Sequence, residues 1–204
     1  GCAYDGFTGR MLVAAALGDE DALVRAGEEW RVFEESLWGL PGPLYHSARA
    51  RSELLLGHTT AALRWARAFT ATLSAAPMLW AEVSHITKVR CLLAAGTQEE
   101  MAAALALADA CTAHAESMHM NWVYPALNGL RALLLARAGA RKEAIDLLTS
   151  ALHASMGEGF VRSYVDLGPA IVDLLRDVGD ETLTGYVAHI LAALPGRSKP
   201  AAAY

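Results

Sequence analysis

Basic side chains recur in this sequence at fixed distances before four glycines, which are Gly18, Gly57, Gly96 and Gly139. A base lies eight residues before each glycine, at Arg10, Arg49, Lys88 and Arg131, and another lies six residues before the middle two, at Arg51 and Arg90. Bases aligned on neighbouring helices can attract an anion or an acidic partner. The alternative is structural, because the same bases could pair between helices with Glu53, Glu82, Glu99 or Glu100.

Aromatic side chains near two predicted helix starts extend the binding hypothesis. Trp80, Trp122 and Tyr124 stand at these starts, and His85 follows about one turn after Trp80. Such rings can stack on sugars or planar ligands, although Trp at a helix end is also typical of a packing wedge. The predicted ligand-binding residues are therefore Arg51, Arg90, Trp80, His85, Trp122 and Tyr124.

Cys111, His114 and Met118 share one face of a predicted helix and are the most metal-like group in the sequence. A soft metal could accept such ligands, but the group lacks the paired spacing of metal sites, and a buried helix seam explains it more simply. The sequence contains no G-x-S-x-G, Walker, H-E-x-x-H or C-x-x-C motif. We therefore expect no enzyme, no metal site and no cofactor.

The composition indicates a folded, all-α chain. Of its 204 residues, 54% are hydrophobic and 19% charged, and much of the apolar content is alanine, which favours helices. A net charge of −5 argues against direct binding of nucleic acid. Three cysteines and no evident secretory leader favour the cytoplasm. The longest apolar run, residues 101–108, is too short to span a membrane.

The four glycines also define a repeat. Each follows an apolar helical run and precedes polar residues and a second apolar run, with spacings of 39, 39 and 43 residues. The clearest copy runs from Gly129 to Ala154 around the turn at Gly139. This pattern predicts antiparallel helix hairpins in a TPR-like (tetratricopeptide-like) α-α superhelix, with a pitch above the usual value of about 34 residues.

We predict four hairpins up to about residue 156, with helices at 9–17, 20–37, 44–56, 59–75, 78–95, 98–119, 122–138 and 142–155. A terminal pair within 158–194, with helices at 159–176 and 181–194 and an interruption at Gly168-Pro169, should cap the repeats. The block around Phe160, Tyr164 and Val165 should pack on the last repeat helix. Residues 1–194 would then form one domain, and residues 195–204 a linker or disordered tail. Both ends look like cuts in a longer polypeptide.

Positions five, nine and twelve after each glycine should pack between the helices of a hairpin. These are Ala144, Leu148 and Ala151 in the fourth unit, Ala62, Ala66 and Phe69 in the second, Met101, Leu105 and Ala108 in the third, and Leu23, Gly27 and Trp30 in the first, which fits least well.

The basic residues eight and six positions before the glycines point about 200° apart on a helix, so only one of the two sets can face the concave groove of the superhelix. The offset of Arg51 and Arg90 matches the groove-facing set of tetratricopeptide hairpins. Replacing both by Ala should weaken ligand binding with little change in melting temperature, since exposed charges contribute about 0–1 kcal/mol each.

Residues 158–194 carry two motifs that resemble a known family. They are E-G-F-V-R-S-Y-V-D-L-G-P-A-I-V-D-L-L at 158–175 and Y-V-A-H-I-L-A-A-L at 186–194. Both resemble the end of the helical-repeat region in MalT-like, large ATP-binding LuxR-family transcription regulators. Leu167 departs from that pattern, since an acidic residue often stands there.

The resemblance implies a signal-sensing superhelical region of a bacterial regulator, present here without the ATP-binding and DNA-binding domains. Its expected partner is a small-molecule inducer or a regulatory protein in the concave groove, with possible self-association. DNA would be bound only through a helix-turn-helix outside these residues. The competing interpretation is a general TPR scaffold for protein-protein interaction.

Overall fold

A computed structural model describes residues 2–73 and 82–194. These ranges contain eleven α-helices and no strand. The helices are α1 Cys2–Leu17, α2 Glu20–Trp38, α3 Pro43–Leu55, α4 Thr59–Ala68, α5 Ser84–Ala95, α6 Gln98–Ser117, α7 Tyr124–Arg137, α8 Arg141–Met156, α9 Val161–Val165, α10 Val172–Asp177 and α11 Thr184–Ala193. Short 3-10 helices lie at Asn121–Val123, Gly168–Ile171 and Glu181–Leu183. The predicted all-α class is confirmed. None of the helices in the described ranges has the length and apolarity that a bilayer crossing requires.

The four repeat glycines lie at the hairpin turns, as predicted. Their φ angles are 69°, 84°, 76° and 89° for Gly18, Gly57, Gly96 and Gly139. These values fall in the left-handed region, which costs a residue with a Cβ atom more than glycine. The glycines thus end one helix and let the chain reverse into the next.

The second hairpin differs most from its predicted bounds. The helix predicted over 59–75 ends at Ala68, and Phe69 is extended, with ψ of 114°. The Lys88 ammonium donates to the Phe69 carbonyl at 2.7 Å, so a base from α5 satisfies an acceptor that follows the end of α4. The helix predicted over 78–95 begins at Ser84, after an extended Val83, and its predicted residues 78–81 lie outside the described ranges.

The chain divides into two compact units, residues 1–107 and 108–204, and the division falls within α6. In the first unit, α1 and α3 pack against their hairpin partners, α2 and α4, and the first helices of successive hairpins also pack together, α1 with α3 and α3 with α5. This neighbour-to-neighbour packing is characteristic of helical repeats.

Trp30 is the centre of the first apolar core and is fully buried. Its ring stacks on Phe7 at a centroid distance of 5.8 Å and meets Tyr4 and Tyr45 edge-on. Met11, Ala26, Leu44 and Ala48 complete this cluster. The hairpin that fits the repeat pattern least well therefore has a large aromatic core, and the centre of that core, Trp30, occupies one of the three repeat positions.

The predicted packing positions are correct in the second and fourth hairpins, where all six side chains are buried. In the third, the prediction is wrong for Met101 and Leu105, which are half-buried. The buried side chains of α6 are instead Ala104, Ala108, Cys111 and Ala115. Because α6 has apolar residues on nearly every side, its periodicity could not distinguish the buried stripe from the adjacent one.

The second unit contains the end of α6, the hairpin α7–α8 and the terminal helices. The terminal region is more broken than predicted, with α9, α10 and α11 separated by 3-10 helices, and the predicted interruption occurs at Gly168 and Pro169. Helix α9 contacts α7 and α11, and α10 contacts α8. The Tyr164 hydroxyl lies 2.8 Å from the Ser155 hydroxyl of α8, and both residues are buried. Tyr164 therefore contacts the last repeat helix as predicted, while α9 also contacts α7.

Candidate ligand-binding residues

Arg51 lies on α3 and is held in a mostly buried ion pair. Its Nη1 is 3.3 Å from Oε2 of Glu82, and the exposed fractions of the two side chains are 12% and 0%. The other Glu82 oxygen, Oε1, accepts hydrogen bonds from the hydroxyls of Ser47 and Thr87, each at 2.5 Å. A buried carboxylate needs such partners, because its charge is no longer hydrated by water. The cluster ties α3 to the start of α5.

The other aligned bases contact a neighbouring helix, the segment after α4 or, for Arg49, its own helix α3. Arg10 pairs with Glu29, Arg131 pairs with Asp109, Lys88 donates to the Phe69 carbonyl, and the Arg49 guanidinium lies 6.0 Å from the Tyr45 ring centroid. Of the acidic partners named by the structural interpretation, Glu82 pairs with Arg51, whereas Glu53 and Glu100 pair with His58 and Arg67. The ion pairs of Arg10 and Arg131 join two helices, as the structural interpretation expects, whereas the contacts of Lys88 and Arg49 are not ion pairs.

Arg90 is half-buried on α5, next to the buried thiol of Cys91. Burial, and secondarily the Glu82 carboxylate, raises the pKa of the Cys91 thiol to about 12, against the opposing charge of Arg90. The thiol therefore stays protonated near neutral pH and acts as a small apolar side chain.

His85 is buried at the start of α5 and joins α5 to the segment that follows α4. Its Nε2 lies 2.9 Å from the Ala71 carbonyl oxygen, and its ring meets the Phe69 ring edge-on at 5.0 Å. With the Lys88 bond to Phe69, this contact fixes the path of the chain after Ala68. Trp80, the remaining predicted residue of the first unit, lies outside the described ranges.

Trp122 and Tyr124 belong to the second unit and are both half-buried. Trp122 lies in the 3-10 helix Asn121–Val123, and Tyr124 is the first residue of α7. Partial burial, and secondarily the Glu116 carboxylate, raises the pKa of the Tyr124 hydroxyl. A neutral hydroxyl and a partly accessible indole are groups that can contact a ligand.

The Cys111 side of α6 has no arrangement suited to a metal ion. Cys111 is buried, and its pKa is raised to about 12 by burial, whereas Met118 is 59% exposed. No group of three or more His, Cys, Asp or Glu in the described ranges could hold a metal ion.

The buried polar cluster around Glu82 is the feature that sequence reasoning missed. Its signal was present: Ser47 and Arg51 are four residues apart on α3, and Glu82 and Thr87 flank the start of α5. Polar side chains at i and i+4 within an inward-facing stripe indicate a buried network. The sequence identified Glu82 as one of several possible partners but gave no reason to place it in the interior.

A family model described as the MalT-like TPR region matches residues 13–181. The match begins within α1 and extends through α10 to the last 3-10 helix. No curated protein and no solved structure matches the chain significantly.

Proposed function

This chain belongs to the family of MalT-like TPR regions, and from that premise we propose that it is the signal-sensing region of a bacterial LuxR-type transcription regulator. The observation that carries the proposal is the family match over most of the chain. The two motifs within residues 158–194 support it, since they resemble the end of the repeat region in such regulators. The region would bind an effector, either a small-molecule inducer or a regulatory protein, and would catalyse no reaction.

Stacked helix hairpins suit this role because a bound effector can bias the packing between neighbouring repeats. We assign effector contact to Arg51, Arg90 and Trp80 in the first unit and, separately, to Trp122 and Tyr124 in the second. His85 is not assigned, because it is 2% exposed and its ring contacts Ala71 and Phe69. Arg51 would present only the edge of its guanidinium that the pair with Glu82 leaves accessible. The net charge of −5 fits a region that leaves DNA contact to another domain.

The regulator proposal is tested first by the coding sequence that follows Tyr204. A helix-turn-helix shortly after this residue is expected, and its absence would favour the general TPR scaffold. A thermal-shift screen with sugars, acyl compounds and nucleotides then tests effector binding. A ligand at 100 times its Kd stabilises the folded state by about 2.7 kcal/mol, which such a screen detects.

The residue assignment is tested by Arg90→Gln and Trp122→Leu, measured with any ligand that the screen identifies. Both substitutions should reduce the ligand-induced shift in melting temperature. Arg10→Gln is the matched control for Arg90, because Arg10 is an exposed base that is not assigned to the effector. An unchanged ligand-induced shift in both variants would show that these side chains are structural.

A further inference from the structure

A cavity of about 450 Å³ lies in the first unit between one face of α4 and the turn from α5 to α6. We call it the α4–α6 groove. Among the residues assigned above to the effector, those within the described ranges do not line it. Its volume falls within the range of about 300–1,000 Å³ that is usual for small-molecule sites.

The α4 side of the groove is basic. Arg64 and Arg67 both line it. Arg67 is neutralised by Glu100 of α6, to which its Nη2 donates at 2.6 Å. Arg64 is exposed and has no hydrogen-bond or ion-pair partner within the described ranges. The groove therefore contains one uncompensated positive charge, that of Arg64.

The start of α4 adds to this positive field. His58, at the N-cap, provides no side-chain cap, since its Nδ1 bonds Glu53 at 2.8 Å. Thr59 and Thr60, the first two residues of α4, line the groove and bring two hydroxyls to it. An anion beside Arg64 would thus also be stabilised by the N-terminal end of the helix dipole.

Glu100 places one fixed negative charge in the same groove. Hydrogen bonds from Arg67 and then from Thr97 hold the pKa of the Glu100 carboxyl below its usual range, so it is ionised at neutral pH. The Thr97 hydroxyl donates to Glu100 Oε2 at 2.8 Å and accepts from the Glu100 amide at 3.2 Å, which caps the start of α6 and orients the carboxylate. Because Arg67 balances the Glu100 charge, the groove offers an anion one uncompensated cation, Arg64, and the second negative charge of a dianion would stay unpaired.

The remaining part of the lining is apolar. Leu63 of α4 and Ala94 and Ala95 of α5 contribute alkyl groups. We propose that the α4–α6 groove binds a small monocarboxylate with an aliphatic body. The carboxylate contacts Arg64 and the Thr60 hydroxyl, and the aliphatic body lies on Leu63, Ala94 and Ala95. The single uncompensated charge sets the preference for a monoanion.

Octanoate is a suitable probe, added to the protein with 13C-labelled Leu and Ala methyl groups. We expect saturable NMR shifts at Leu63, Ala94 and Ala95. Arg64→Gln should weaken binding about tenfold or more, because it removes a charge-assisted contact. Thr60→Val should weaken it less. Arg25→Gln is the matched control, since Arg25 is an exposed base of α2 outside the groove, and it should leave the Kd unchanged.

Two further probes test the charge preference. Octanol has the same aliphatic body but no charge. Octyl phosphate has the same aliphatic body and a charge of about −1.5 to −2 at pH 7. Both should bind more weakly than octanoate, and Glu100→Gln should strengthen octyl phosphate binding. Absence of saturable shifts at the three groove residues would overturn the proposal. It would also be overturned if Arg64→Gln and Arg25→Gln had equal effects, or if octyl phosphate bound as tightly as octanoate.

Discussion

The Arg51 guanidinium lies 3.3 Å from a carboxylate oxygen of Glu82, and the Glu82 side chain has no exposed surface. Ser47 and Arg51 reach this carboxylate from α3, and Thr87 reaches it from α5. One buried charge therefore links the first helices of two neighbouring hairpins. The expectation that Arg51 is an exposed charge is wrong. Its replacement should therefore lower the stability of the fold instead of leaving it nearly unchanged.

Arg51→Ala should lower the free energy of unfolding by about 3–5 kcal/mol, because it leaves the Glu82 carboxylate buried without its counter-charge. The matched control is Arg10→Ala, which breaks an exposed pair with Glu29 and should cost about 0–1 kcal/mol. Urea denaturation followed by circular dichroism measures both. Equal losses in the two variants would mean that the Glu82 pair contributes no more than a surface pair.

Gly129→Ala tests the close contact between α7 and the terminal region. A Cβ atom at Gly129 would lie 2.5 Å from Leu167 Cδ1, so the side chain of Leu167 must move. The overpacking cost of about 1–3 kcal/mol should exceed the gain in helix propensity of about 1 kcal/mol. In a Leu167→Ala background the same substitution should stabilise the protein. Thermal unfolding of the parent, the two single variants and the double variant gives the coupling free energy between residues 129 and 167. If Gly129→Ala also destabilised the Leu167→Ala protein, the contact would be contradicted.

The two buried thiols should make the folded state less stable at alkaline pH. Burial raises the pKa of Cys91 and of Cys111 from 9.0 to about 12. Between these values the unfolded chain releases thiol protons and the folded chain keeps them, so the stability that is complete below pH 9 is lost as pH rises toward 12. A Cys91→Ala, Cys111→Ala variant should lose less stability than the parent between pH 8 and pH 11. Denaturant midpoints at each pH measure the difference, and parallel curves would show that the thiols do not contribute.

The terminal helices are predicted to cap the repeats. Tyr164, Ile171, Leu175 and Leu183 are fully buried in this region, and α9 and α10 cover α7 and α8. A fragment of residues 1–156 should expose that apolar surface and aggregate, whereas a fragment of residues 1–194 should stay monomeric. Size-exclusion chromatography with light scattering distinguishes them. A monomeric 1–156 fragment with the stability of the longer one would show that the terminal helices are no cap.

The amino-acid sequence by itself determined the helix hairpins and their turns. Gly57 and Gly139 mark turns because only a left-handed residue lets the chain reverse there, and that preference is local. Helix periodicity is equally local, and so the predicted bounds of α2 and α8 differ from the observed ones by at most one residue at either end. The terminal motifs are a contiguous pattern and identified the family before any geometry was known.

Only the tertiary structure decided which charges are buried and where some helices end. Arg51 looked like a groove charge because spacing shows the face of a helix but not what packs on it, and its partner Glu82 is 31 residues away. Helix α4 ends at Ala68, where Lys88 and His85 of α5 bind the carbonyls of the chain that follows, and no local signal marks that end. The groove beside Arg64 likewise requires α4 and the α5–α6 turn to meet, because its lining residues are separated in sequence and become neighbours only by packing.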